Sequence, residues 1–343
     1  MNAKRTYSNQ ERFFKRLARR FEKKGDMVAS VGKALHLGRD AVYRRLRGET
    51  ILSTDELYLL AEHFSIKLQP DRKGPAQVSY PTAVFQPENE VDFYRGFADQ
   101  CEWALKLPGL SVDYATPELP IYFELFASTL LSFKTYVYGL TAWNFEKWRK
   151  VSFRPELINP EVLEMAKPLR DALFNIPGRE LWSVRILDTT LRQIEHAVDI
   201  GRLPDYEQVK KMYEELDAVI DHMEDMTHRG KRFAPGTTPT ATSPDLFVYH
   251  NEMTNTNHVT MVKSDTISFF FSNIVTPNYV HTSDPTVNQQ TSLWFDNMVS
   301  MANPLHGPDV AYARKFFTQL RYAKKASEQR AFGVLSPSLV SFS

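Results

Sequence analysis

From Asp26 to Gly48 the apolar residues Val28, Val31, Ala34 and Leu35 recur at helical spacing, Leu37 and Gly38 interrupt the pattern, and Ala41, Val42 and Leu46 resume it. Steps of three and four put residues on one helix face, so the stretch predicts two short helices joined by a tight turn. Ahead of it, Phe13, Phe14, Leu17 and Phe21 form an apolar stripe over Asn9 to Lys24, with Gly25 placed to close that helix. Behind it, Ser53-Thr54-Asp55-Glu56 supplies N-cap candidates for a fourth helix carrying Leu57, Leu60, Ala61 and Phe64. A Pro- and Gly-bearing run, Gln69 to Pro75, then reads as a linker, and Ala83-Val84-Phe85 between Pro81 and Pro87 as extended chain.

Helical patterning returns at about Glu88 to Lys106, Glu118 to Trp148, Pro160 to Phe174 and Gly178 to Ile200, punctuated by Pro108-Gly109, Pro155, Pro177-Gly178 and Gly201. The aromatic residues of Leu119 to Trp143 suit a helical core more than a ligand pocket, and Glu124 and Lys134 interrupt a run that would otherwise resemble a membrane span. Between Asp205 and Arg229, Val209, Met212, Leu216, Val219, Met223 and Met226 alternate steps of three and four. Such a seam serves a dimer interface or packing within one subunit equally well. Its acidic neighbours, Glu214 to Asp225, read as a solvated face.

After the Pro/Gly/Thr-rich stretch Arg229 to Pro244 the period changes to β-branched and aromatic runs at 246–250, 258–262 and 266–275, with closing helices near Val287 to Met301 and Pro308 to Lys325. The expected fold class is therefore mainly α. It comprises an N-terminal four-helix domain (1–69), a linker (70–87), a helical middle domain (88–229), a linker or exposed loop (230–245), a small antiparallel β plus α C-terminal module (246–335) and a disordered tail (336–343).

The net charge of +1 hides an asymmetry: residues 1–75 carry 17 Lys/Arg against 9 Asp/Glu, and the remainder 25 against 32. A basic head of about +8 on an acidic body of about −7 is the electrostatic footprint expected of nucleic-acid binding. The single cysteine, Cys101, excludes an intramolecular disulfide and cysteine-clustered zinc. It fits a reducing, cytoplasmic location, and the charged N-terminus lacks a signal-peptide core.

With Val42 and Leu46 turned inward, Arg39, Asp40, Tyr43, Arg44 and Arg47 must face outward. On these residues, with Gly32, His36-Leu37-Gly38, Val42, Gly48 and the following helix Asp55 to Leu68, the chain resembles the phage-repressor-like helix-turn-helix family of bacterial transcriptional regulators over its first seventy residues or so. The family usually has alanine at the position of Gly32 and glycine at that of His36. The resemblance implies double-stranded DNA as partner, with Arg39, Asp40, Tyr43 and Arg44 at base edges in the major groove. It places Lys33, Arg45, Arg47, Arg19, Arg20 and Lys23 at backbone phosphates, on a homodimer reading paired half-sites.

No phosphate-binding glycine loop, dinucleotide fingerprint, zinc-protease helix or nucleophile elbow occurs in the sequence. His222 and His228 fall on different helix faces, while His250, His258 and His281 could meet only through folding. The pairs Glu195/Asp199 and Asp221/Asp225 lack an identifiable base. The expectation is a transcriptional regulator with no catalytic residues, metal or cofactor, whose body oligomerises or senses an unspecified small-molecule effector. A protein-interaction module with a basic head, and an enzyme with an accessory DNA-binding head, remain the alternatives.

Overall fold

The structure, a computed structural model, describes residues 9–335 apart from 19, 22, 65, 67, 69–86, 254–257 and 309. The expected extended segment at 83–85, almost all of the 70–87 linker and the 336–343 tail lie outside the described residues. The chain divides into two compact units, Met1–Pro75 and Ala76–Ser343.

Unit 1 holds helices α1 (Asn9–Ala18), α2 (Lys24–Leu35), α3 (Arg39–Leu46) and α4 (Thr54–His63). Its core is the set the periodicity selected: Phe13, Phe14, Leu17, Val28, Val31, Val42 and Leu60 are all buried. The first helix stops earlier than expected, at Ala18, and Gly25 falls within the first turn of α2. Backbone bonds from Arg20 to Leu17 and from Phe21 to Ala18 close the α1 end instead. Ser53 caps α4 through a reciprocal capping box with Glu56.

Unit 2 corrects the expected fold class. It is built on a seven-stranded mixed sheet ordered β6-β5-β4-β1-β2-β3-β7. The strands are β1 (Ser111–Thr116), β2 (Gly178–Trp182), β3 (Leu246–His250), β4 (Val259–Lys263), β5 (Ser268–Val275), β6 (Asn278–Thr282) and β7 (Asn303–Pro304). β1, β2 and β3 run parallel, with Thr116 opposite Trp182 and Trp182 opposite His250, whereas β4, β5 and β6 continue antiparallel from β1. Thus β1, which falls between two of the expected helices of the middle domain, and β2, at the start of the helix expected over Gly178 to Ile200, share one sheet with the C-terminal strands, and the β structure is neither small nor purely antiparallel.

The helices of unit 2 are α5 (Glu90–Leu105), α6 (Ile121–Glu124), α7 (Ser128–Thr141), α8 (Pro160–Phe174), α9 (Asp188–Asp199), α10 (Tyr206–Arg229), α11 (Pro285–Ser300) and α12 (Ala311–Leu335). Alternation along the strands splits their side chains between two faces. Trp182, Leu246 and Val248 join the large helical core, while Ala115, Leu181 and Val259 pack with Phe295 of α11. The single helix expected over Glu118 to Trp148 is broken into α6, α7 and a 3₁₀ turn at Glu146–Trp148. The α7 N-terminus has no cap of its own, and Glu215 of α10 accepts from the Thr129 and Leu130 N–H groups at 3.1 and 2.8 Å. That carboxylate, expected on a solvated face, is therefore buried. The 230–245 stretch also contributes inward-facing side chains, Arg232 and Phe233.

The α10 seam is internal. Val209, Met212, Leu216, Val219, Met223 and Met226 are fully buried in the helical core, where α10 packs against α12 and α7. Arg321 and Lys324 of α12 reach Asp221, Glu224 and Asp217 beside it. Phe133, Tyr136, Tyr138, Trp143 and Trp148 are core residues. Among the described residues no helix is long and apolar enough to cross a membrane.

Candidate nucleic-acid interface

The turn between α2 and α3 is set by two unusual residues. His36 takes the left-handed conformation (φ 54°) that glycine adopts without penalty, and its N–H bonds back to the Gly32 and Lys33 carbonyls. Leu37 N–H also bonds the Gly32 carbonyl at 2.8 Å, drawing the turn so close that a Cβ on Gly32 would stand 2.8 Å from Leu37 O. Gly32 and His36 thus form one arrangement: a missing side chain at 32 lets the turn pack down on α2. Gly32→Ala is expected to destabilise unit 1 by about 1–3 kcal/mol through that overlap. His36→Gly should stabilise it by about 1 kcal/mol by relieving the left-handed residue. Urea unfolding of both variants checks the opposite signs.

Beyond the turn, Val42 is wholly buried and fixes the rotation of α3. Arg39, Asp40, Arg44 and Arg47 are exposed and share a face by i, i+3 and i+4 spacing. Tyr43 is half-buried, with Lys24 Nζ 5.8 Å from its ring centre. Arg47 forms a two-point pair with Glu49 at 2.5 and 2.9 Å, which raises the arginine's pKa and lowers the carboxylate's. Lys33 and Lys23 are exposed on α2 and just ahead of it. Arg20 donates to the Phe64 carbonyl, and Arg19 lies outside the described residues.

Arg45 departs from the group. Its side chain is only 14% exposed, and it bonds Glu56 through Nη2 at 2.7 Å and Nε at 3.3 Å. These bonds, with one from the Ser53 backbone, hold the Glu56 carboxyl below its ordinary range despite the opposing effect of burial. The contribution to stability is therefore full above the ordinary carboxylate pKa and is lost as pH falls through the lowered folded value. Arg45 joins α3 to α4 rather than standing at the surface.

Sequence reasoning missed Gln10. Its amide donates to the Arg45 and Thr50 carbonyls at 2.7 and 2.8 Å and accepts from Leu52 N–H at 2.8 Å, fixing the loop that leaves α3. The signal was present: a polar residue one turn ahead of Phe13 and Phe14 on the buried stripe, where an unpaired amide would be costly.

Glu195 pairs with Arg330, Asp221 with Arg321 and Asp225 with Arg229. His222 bonds the Phe233 carbonyl, and burial lowers its pKa. Burial pushes the Cys101 thiol up to about 12. His250, His258 and His281 are not brought into one cluster, and no group of three or more His, Cys, Asp or Glu among the described residues could hold a metal ion. No protein-family model, curated protein or solved structure matches the chain.

Proposed function

We propose that unit 1 binds double-stranded DNA and that the protein is a sequence-specific transcriptional regulator. The observation that carries this is the outward face of α3, where Arg39, Asp40 and Arg44 stand free of the core while Val42 anchors the helix from behind. A helix of this size fits the major groove, and an arginine near its start can bind guanine O6 and N7 together. A single head offers few base contacts, so the reading includes a homodimer on paired half-sites, formed through a surface other than the buried α10 seam. The reading includes a cytoplasmic location, in keeping with a single cysteine in the chain.

The test is selection of a binding site from random duplexes, followed by titration of variants. Arg44→Ala is expected to lose about 1–3 kcal/mol of discrimination at one base position. Equal weakening on selected and random DNA would leave Arg44 with phosphate contact only. Absence of any selected sequence would remove the regulator reading in favour of an interaction module.

Salt dependence separates the remaining cations. Lys23→Ala, Lys33→Ala and Arg47→Ala should each weaken all duplexes alike and reduce the salt slope by about one counterion. Arg45→Ala should instead lower the stability of unit 1 and leave the slope of the folded fraction unchanged, because its guanidinium is committed to Glu56. A slope that falls for Arg45→Ala and holds for the other three would reverse the assignment.

A further inference from the structure

A polar cavity of about 350 Å³ opens at the carboxyl ends of the parallel strands in unit 2. Its wall takes Thr116 from β1, Ser183 following β2, Glu252 following β3, Arg185 from the turn before α9, and Asp188 and Arg192 from the first two turns of α9. In open sheets with parallel strands, ligands bind outside the carboxyl ends where the strand order changes direction. Here the cavity lies beyond the carboxyl ends of the three parallel strands, where Thr116, Ser183 and Glu252 come together. The volume lies at the small end of the range for metabolite pockets.

The wall carries an excess of positive charge at the α9 end and a carboxylate at the β3 end. At the α9 end, Arg185 Nε binds Asp188 at 2.8 Å, and Arg192 stands 3.7 Å from the same carboxylate. One carboxylate cannot occupy the donors of two guanidinia, each with five N–H groups. The first turn of α9 also has no side-chain cap. At the β3 end, Glu252 is held in place: its Oε1 accepts from Ser183 Oγ at 3.0 Å, from the Val184 N–H and from His250 Nε2 at 2.8 Å. Tyr312 Oη lies 2.7 Å from His250 Nδ1 and steadies the ring, and because the Glu252 carboxylate can only accept, Nε2 carries a proton toward it. Burial opposes the Glu252 charge, but the bonds from His250, Val184 and Ser183 outweigh it and keep the carboxyl below its ordinary range. Among the described residues its second oxygen receives one bond, at 3.2 Å from Ser183, leaving acceptor capacity toward the cavity.

We propose that this cavity binds a small zwitterionic metabolite of the α-amino-acid class, its carboxylate on Arg185 and Arg192 and its ammonium on Glu252. A purely anionic ligand would gain the arginines but meet Glu252 and Asp188 as like charges; a simple amine would meet the reverse. The cavity belongs to unit 2 alone, so the inference stands independently of DNA binding by unit 1.

The experiment is isothermal titration of the full chain, without DNA, against each proteinogenic L-amino acid. Any that binds is then compared with its des-amino acid and its decarboxylated amine. At least one amino acid should bind, with both truncated analogues weaker by about tenfold or more, the scale of a lost charge-assisted hydrogen bond. Arg192→Ala and Glu252→Gln should each weaken the amino acid by a similar factor, and Glu252→Gln should strengthen the des-amino acid, whose carboxylate then no longer meets that like charge. Circular dichroism confirms that both variants are folded, and Arg192→Lys supplies a conservative control with partial retention. The proposal is overturned if no amino acid binds, if the des-amino acid binds as tightly as its parent, or if both folded variants bind like the wild type.

Discussion

Replacing Leu216 and Met223 by glutamate is expected to unfold unit 2, not to separate two copies of the chain. Both side chains are fully buried among α7, α10 and α12, where an ionised carboxylate finds neither water nor a cation placed to meet it. The nearby bases are committed: Arg321 bonds Asp221 and Glu224, and Lys324 bonds Asp217 and Glu328. Each substitution combines lost apolar burial with a buried charge and should cost about 4 kcal/mol or more. Together they exceed about half of the stability of an ordinary domain. Leu216→Met, which conserves volume, should cost under about 1.5 kcal/mol. Circular dichroism and sedimentation velocity read the result: loss of helical signal and of a compact species is expected for the glutamate pair. A folded protein that merely sediments at lower mass would show that the seam joins two subunits.

The same seam marks where sequence information ran out. Heptad spacing establishes that α10 buries one face but does not name the partner, since α12 lies about a hundred residues away in the chain. The large correction has the same cause. β1 and β2 span six and five residues, and β2 places Glu180 among buried side chains, so neither shows a sustained strand period. Gly178 to Ile200 consequently reads as one helix, whereas the chain runs as strand to Trp182 and as helix from Asp188. The 246–250 strand was legible in itself, but its parallel pairing to β2 spans α9 and α10 and leaves no local pattern. The break between α6 and α7 falls in the apolar run Leu125–Ala127, with no glycine or proline to mark it.

Unit 1 was more legible because its decisive facts are local. Val42 alone sets which residues of the eight-residue α3 face outward, and Arg39, Asp40 and Arg44 stand where the spacing puts them. The Arg45–Glu56 pair was not legible for a physical reason: Glu56 falls among the N-cap candidates of α4, but one carboxylate performs two tasks. Its Oε2 accepts from Ser53 N–H at 2.9 Å, and its two oxygens also engage the Arg45 guanidinium. The polar cavity beside β1 was not legible at all, since its wall draws on residues from 115 to 252 that meet only when the three parallel strands assemble.

Arg232→Ala is expected to destabilise unit 2 by about 3–5 kcal/mol, the usual consequence of removing one partner from a buried ion pair. Glu180, on central strand β2, is completely buried, and Arg232 nearly so. The carboxylate receives Arg232 Nη2 and Tyr122 Oη on one oxygen and Trp182 Nε1 at 2.7 Å on the other. Burial works against the Arg232 charge, but the adjacent Glu180 outweighs it and holds the guanidinium's pKa above its ordinary value. The Tyr122 ring lies 5.2 Å from the guanidinium carbon and adds a cation–π contact. With the arginine gone, Glu180 keeps two neutral donors and no counter-charge. The double variant Glu180→Gln/Arg232→Met tests this account, because the glutamine carbonyl still accepts from Trp182 Nε1 and its amide group can donate to the Tyr122 hydroxyl oxygen, while methionine fills part of the vacated volume without charge. It should recover most of the lost stability in urea unfolding, whereas Glu180→Gln alone, leaving Arg232 unpaired, should remain strongly destabilised. If Arg232→Ala costs less than about 1 kcal/mol, or if the double variant is no more stable than either single one, the pair does not hold unit 2 together in the way its burial requires.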